Sequence, residues 1–343
     1  MALRVAAVWA AWLVLGLLAS SQNALVDDLV RQGEEAIEAE DFDRAALTLE
    51  HARQAAPERK AVNRGLLLSY LQTGRLAAAE EIGKAAVERW PNDSELVHWL
   101  GLVYFKEHKN DLAVPELRRA VKLDPSHYDI HFDLALVLLS DDRYSDAAKE
   151  LEAATRLDPK AALPHVLLGR AYQNTNRSVQ AVEQFRTALR LEASLPLVHY
   201  HLGFAYESLG RNEEAIAEYE KEIQRSPSNV TVLYQLGHCQ LSAGLWRSAV
   251  EYLQKATQLE PGNSDAFYDL GKALLLQGDA EQAVPALHRA AQLKPSNPTP
   301  HYQLSRALDK LGRSEEAKQE LETFTTLNKA QPVTGGMAAG PIQ

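Results

Sequence analysis

Apolar and small side chains return along this chain at a fixed interval. Folded on a period of 34 residues, the sequence places alanine at Ala45, Ala79, Ala113, Ala147, Ala181, Ala215, Ala249, Ala283 and Ala317. Alanine fills 51 of the 343 positions, so nine hits in nine is not coincidence. Proline marks the same interval at Pro57, Pro91, Pro125, Pro159, Pro227, Pro261 and Pro295, with Ala193 in the one exceptional place. Counting that proline as position 32, the repeats begin at Val26, Lys60, Ser94, Tyr128, Ala162, Pro196, Val230, Ser264 and Pro298. Positions 4, 7, 8 and 11 share one face of a helix, and positions 20, 24 and 27 share one face of a second. Each repeat therefore predicts two amphipathic helices. Small residues at 8, 20 and 27 allow their axes to approach within about 8–10 Å.

Punctuation agrees with that division. Gly74-Arg75, Asp142-Arg143, Gly210-Arg211, Gly244-Leu245, Gly278-Asp279 and Gly312-Arg313 supply turn chemistry between the two halves. Asn92, Ser126, Ser228, Asn263 and Ser296 are the expected caps of the first helices. Within the array proline is confined to positions 1, 3, 22 and 32. Pro164, Pro196, Pro298 and Pro300 are expected at the start of first helices, and Pro115 and Pro285 in the first turn of second helices. One helical hairpin cannot bury its own stripe, so the hairpins must stack on their neighbours. An all-α chain follows.

These residues resemble the tetratricopeptide repeat, whose pattern is W-x2-L-G-x2-Y, then A-x3-F, then P. Repeat six shows it as His199-x2-Leu202-Gly203-x2-Tyr206, then Ala215-x3-Tyr219, then Pro227, and repeat eight as Phe267-x2-Leu270-Gly271, then Ala283-x3-Leu287 and Pro295. The likeness runs from residue 26 to 331 and implies an α-solenoid, a right-handed superhelix of about nine repeats with first helices on its inner wall. Repeats one and nine depart most, at Gln32 and at Ser305, Phe324 and Lys329, and read as caps. Gly83 in the middle of a helix and Glu222 in place of an alanine are local departures.

Composition narrows the function. Apolar residues make up 46% and charged residues 24%, and the formal net charge is −10, so the basic stripe that nucleic acid requires is missing. Residues 1–21 begin with Arg4, continue through the uncharged stretch from Val5 to Leu18 and end in Ala19 and Ser21. That is the layout of a cleaved signal peptide, with an uncleaved anchor as the alternative. The expected location is periplasmic or secreted, or membrane-anchored by this segment alone. Residues 332–343, rich in Gly and Pro, are expected to be a disordered tail.

No catalytic residue, metal or cofactor is expected. His131, His165, His199 and His301 share position 4, one per repeat, and read as packed side chains. His127 and His131 are spaced i,i+4, but the first falls at a repeat junction and no Glu accompanies them in an H-E-x-x-H pattern. The single cysteine, Cys239, falls at a packed position and forms no disulfide framework.

The resemblance implies that positions 2, 5, 9, 12 and 13 of each repeat face a concave groove. In repeats two to four these include Leu68, Leu71, Leu102, Phe105, Phe132, Leu136 and Leu139, an apolar floor. In repeats six to nine, position 5 carries Tyr200, Tyr234, Tyr268 and Tyr302, while position 9 carries His238, Lys272 and Arg306, with Arg170 at the same position of repeat five. Aromatic contact area beside cationic groups suits an acidic or carboxylate-bearing peptide. The pairing of Lys at position 5 with Asn at position 9, by which some relatives clamp a terminal carboxylate, occurs in no repeat. The expected function is a non-enzymatic scaffold holding a peptide or helix of another protein in the groove. The alternative is an accessory subunit presenting peptide or glycan to an enzyme or to a secretion or envelope complex.

Overall fold

The computed structural model describes residues 23–330. The leader segment at 1–21 and the tail at 332–343 lie outside the described residues. All regular structure among the described residues is helical. Helix α1 occupies 23–38. It is followed by α2 (Phe42–Ala55), α3 (Lys60–Gln72), α4 (Leu76–Arg89), α5 (Ser94–Lys106), α6 (Asn110–Leu123), α7 (Tyr128–Ser140), α8 (Tyr144–Leu157) and α9 (Ala162–Asn174). Beyond these lie α10 (Ser178–Leu191), α11 (Val198–Ser208), α12 (Asn212–Arg225), α13 (Val230–Ser242), α14 (Trp246–Leu259), α15 (Ser264–Gln277), α16 (Ala280–Leu293), α17 (Thr299–Lys310) and α18 (Ser314–Ala330). The chain divides into two compact units between Thr175 and Asn176, inside repeat five, a division that the even period does not foretell.

Within each unit the helices from α2 onward pack on their sequence neighbours. First helices of successive repeats also touch, α3 with α5, α5 with α7, α13 with α15 and α15 with α17, whereas second helices make no comparable contact with one another. First helices therefore take the inner side of each stack. The turn inside every hairpin is set by one residue at position 15 with a left-handed backbone: Gly74, Gly210, Gly244, Gly278 and Gly312, but also Glu40, His108, Asp142 and Asn176. Glycine enters that region without steric cost, and the side-chain-bearing residues do so under mild strain.

The junction between repeats corrects the cap assignment. A backbone turn closes over the marker proline, with the N–H of Asp93 donating to the Trp90 carbonyl at 3.2 Å and that of Asn229 to Ser226 at 3.1 Å. The cap is therefore position 34 and not 33. Asp93 and Asn229 accept from Leu96 and Val232, where Asn92 and Ser228 were expected, and only Asn263 is placed as the sequence suggests. Ser126 and Ser296 cap nothing, since α7 starts after His127 and α17 after Pro298. Pro196 also misses its helix: α11 begins at Val198, after a left-handed Leu197.

Close packing inside the hairpins explains the small residue at position 8. A Cβ on Gly101 would lie 2.7 Å from Leu117 Cγ, one on Gly237 2.6 Å from Leu253 Cγ, and one on Gly271 2.5 Å from Leu287 Cγ. Position 24 thus inserts into the notch left by position 8.

Pro115 and Pro285 require a second correction. Helices α6 and α16 start at Asn110 and Ala280, so each proline is the sixth helical residue, beyond the first turn. Each ring removes a hydrogen bond to the carbonyl four residues back, at Asp111 or Glu281, and both prolines lie on the exposed face. Pro285→Ala restores that bond without disturbing the core. It should stabilise the protein by about 1–3 kcal/mol, read as a higher urea midpoint at unchanged slope.

Candidate functional site

The inner walls are built by the first helices. On these, positions 2, 9 and 13 stay open, whereas position 5 is buried at Val30, His98 and Val166 and position 12 at Leu71, Leu241 and Leu275. In the first unit Leu102, Phe105 and Leu139 are half-buried against the core while keeping one side open. Leu136 is likewise half-buried, and Phe132 stacks on Tyr128 with ring centroids 5.7 Å apart. Leu71 is not part of this floor. It is 2% exposed and belongs to the core, and the Lys106 ammonium reaches back to its carbonyl at 3.3 Å.

Leu68 lines a cavity of about 430 Å³ with Glu34, Ile37, Glu38, Ala61, Arg64, Gly65, Glu95 and Trp99. Arg64 pairs with Glu95 at 2.6 Å and stands 5.5 Å above the centre of the Trp99 ring. The signal for this cavity was in the sequence. Glu34, Ile37, Glu38, Ala61, Arg64, Leu68 and Glu95 all occupy groove positions of repeats one to three. Reading those positions for leucine and tyrosine alone passes over it.

In the second unit Tyr200, Tyr234 and Tyr268 are half-buried and Tyr302 is 43% exposed. Burial raises the Tyr200, Tyr234 and Tyr268 hydroxyls above their ordinary values, so at neutral pH each keeps a proton to donate. Tyr302 packs beside Phe324 at 5.3 Å, and Tyr200 lies 6.0 Å from the buried Tyr219.

The cationic row is less free than its spacing suggests. His238 is a correction in this respect: its Nδ1 lies 2.7 Å from Asp269 and its Nε2 3.8 Å from Glu207, two carboxylates that already answer its charge. Glu207 in turn accepts from the Tyr219 hydroxyl at 2.8 Å. Lys272 is half-buried, while Arg306 and, in the first unit, Arg170 are exposed.

The hydrogen bond to Asp269 raises the His238 imidazole above its ordinary 6.5, against the opposing effect of burial and of Lys272. A raised histidine contributes stability that is complete below its unfolded value and lost as pH climbs through the folded one. Unfolding of the wild type should therefore become easier from pH 6 to pH 8, and His238→Gln should flatten that part of the profile.

Three histidines at position 4 are held by carboxylates within their own hairpins. His131 meets Glu150 at 2.7 Å, His199 meets Glu218 at 2.6 Å, and His301 meets Glu320 at 2.6 Å. Position 4 is thus tied to position 23 across each of these hairpins. His127 lies 3.8 Å from Asp129. No group of three or more His, Cys, Asp or Glu among the described residues could hold a metal ion. The Cys239 thiol is 0% exposed, donates to the Asn212 carbonyl at 3.7 Å and is pushed up to about 12 by burial. It remains a protonated packing group.

Tetratricopeptide-repeat profiles match residues 30–94, 100–162, 166–230 and 234–298, with a further profile of the same repeat at 274–328. Among curated protein sequences none matches. Solved structures with similar helical repeats include YrrB, described as a TPR protein with an unusual peptide-binding site, at 22% identity over 54% of this chain and 95% of that one, TM-score 0.49. MamA aligns at 20% identity over 47% and 95%, TM-score 0.46. The APC/C hetero-tetramer Cut9–Hcn1 aligns at 18% identity over 78% and 52%, TM-score 0.48.

Proposed function

The chain belongs to the tetratricopeptide-repeat family, and from that premise we propose that it is a non-enzymatic scaffold whose first-helix walls hold an extended peptide or a helix of another protein. The observation that carries this reading is the row of half-buried Leu102, Phe105, Phe132, Leu136 and Leu139. These side chains are packed on one side and open on the other, apolar area that a monomer does not expose without use. The tyrosines of repeats six to nine add rigid contact area with hydroxyl donors. Histidines in the hairpin clamps and the sealed Cys239 are already engaged in structure, which favours binding over catalysis.

We also propose export to the periplasm or outside the cell, or tethering by the N-terminal segment. Sequencing the mature amino terminus tests that directly.

Partner recovery in a pull-down tests the binding walls. Leu102→Asp with Leu136→Asp in the first unit, and Tyr234→Ala with Tyr268→Ala in the second, should each reduce recovery at least about tenfold, two lost anchors of 1–2 kcal/mol each being enough. Leu112→Asp, on a second helix and 43% exposed, should not change it. Equal recovery from all three variants would contradict the assignment.

A further inference from the structure

Among the described surfaces, the cavity at repeats one to three combines an aromatic ring, apolar walls and unspent negative charge. Its lining holds three carboxylates, Glu34, Glu38 and Glu95, against one guanidinium, Arg64. Arg64 is fully engaged, bridging to Glu95 and covering Trp99. Glu34 and Glu38 project from α1 at positions 9 and 13, one helical turn apart, are exposed, and have no cationic partner among the described residues. Between them Ile37 is half-buried, and Leu68 faces it from α3.

The neighbourhood strengthens the asymmetry. Asp27 at position 2 of repeat one is 62% exposed and is engaged by Arg59, leaving the α1 edge acidic with its cations already placed. Arg31 on the same helix pairs with Asp28 and Glu35, away from this cavity. A group entering here therefore meets a net negative wall at one end and aliphatic carbon at the other.

We propose that this cavity is a subsite for an arginine side chain of the bound peptide, flanked by an apolar residue that continues onto the Leu68 and Leu102 row. The proposal rests on the groove reading above and gives the partner a polarity: its basic residue lies toward repeat one and its apolar residues toward repeats two to four. The guanidinium meets the Glu34 and Glu38 carboxylates in its own plane, and its propyl stem lies along Ile37 and Leu68. Arginine fits better than lysine because a planar fork can serve two carboxylates a turn apart, whereas an ammonium is a hydrated point charge. The volume admits one long side chain and part of its neighbour, within the range of ligand pockets. Arg64 already shows, inside the same cavity, that a guanidinium can be stabilised by this pairing of carboxylate and indole.

The test is a titration of the full chain with two acetylated, amidated dipeptides, Leu-Arg and Leu-Glu, followed by nitrogen–proton spectra of the tryptophan indoles and carbon–proton spectra of leucine methyls. Trp99 is assigned by Trp99→Phe. Leu-Arg should shift the Trp99 indole saturably, Leu-Glu should leave it unmoved, and Glu34→Gln with Glu38→Gln should weaken the Leu-Arg response at least about fivefold. These two positions are exposed, so the double variant should keep the wild-type helical signal. An unmoved Trp99 with Leu-Arg, equal shifts from both dipeptides, or an unchanged affinity in the double variant would overturn the subsite. Methyl shifts at Leu102 and Leu136 from both dipeptides without a Trp99 response would overturn it too, while leaving the groove reading intact.

Discussion

Tyr219→Ala should lower the stability of the second unit by about 3–5 kcal/mol, among the largest losses expected from one substitution in this chain. The ring is 0% exposed and fills the notch of Gly203, where a Cβ would lie 2.8 Å from its edge. Its hydroxyl donates to Glu207 at 2.8 Å. Truncation leaves a cavity and also removes the donor from a carboxylate that faces His238 at 3.8 Å. Tyr219→Phe separates the two effects. It keeps the volume and should cost only about 1.5–3 kcal/mol, the value of one hydrogen bond to a charged group. Urea denaturation followed by circular dichroism reads both, and equal losses from the two variants would mean that the hydroxyl, not the ring, carries the packing.

How much of this was legible in advance follows from the repeat itself. The period, the two helices and the small-to-large fit of positions 8 and 24 are properties of spacing, and spacing is written in the sequence. The caps at Asp93 and Asn229 were displaced by one residue because the proline turn adds a backbone hydrogen bond before the helix begins. That geometry has no signature in residue type, since Asn92 and Ser228 are equally good caps by chemistry. Similarly, His108 and Glu40 adopt the left-handed turn conformation that glycine advertises elsewhere, because the hairpin and not the residue dictates position 15.

For the candidate walls, the facing positions could be read off the repeat, but the partners of each side chain could not. His238 looked like a free cation until Asp269 and Glu207 were seen beside it, from two other helices. Arg64, Glu34 and Trp99 drew no notice as separate residues, and only their convergence makes a cavity.

Glycine at position 8 provides the second large effect. Gly271→Ala gains about 1 kcal/mol of helix propensity, but its Cβ must enter space occupied by Leu287 at 2.5 Å from Cγ and 2.7 Å from Cδ2. Overpacking costs about 1–3 kcal/mol, and here the obstructing atom is a branch point near the backbone, which cannot swing aside. The net should be a loss, and Gly271→Val should deepen it to about 3 kcal/mol or more, with two further methyl groups in the same notch and a β-branched helix residue. Gly83 is the control. There a new Cβ meets the ends of two leucines, Leu100 at 3.0 Å and Leu67 at 3.2 Å, which can yield, and the Leu100 Cβ at an ordinary 3.6 Å. Gly83→Ala should be near neutral or stabilising by up to about 1 kcal/mol. If both alanine variants raise the urea midpoint, propensity and not packing governs position 8.

The central claim is that binding belongs to the first-helix walls, and position-specific crosslinking addresses it most directly. A benzophenone amino acid placed at position 136 or 268 lies on an inner wall, whereas at 112 or 259 it lies on a second helix, both native leucines there being exposed. On irradiation with partner present, the two inner positions should yield covalent adducts and the two outer positions should not. Adducts formed mainly from 112 and 259 would contradict the account.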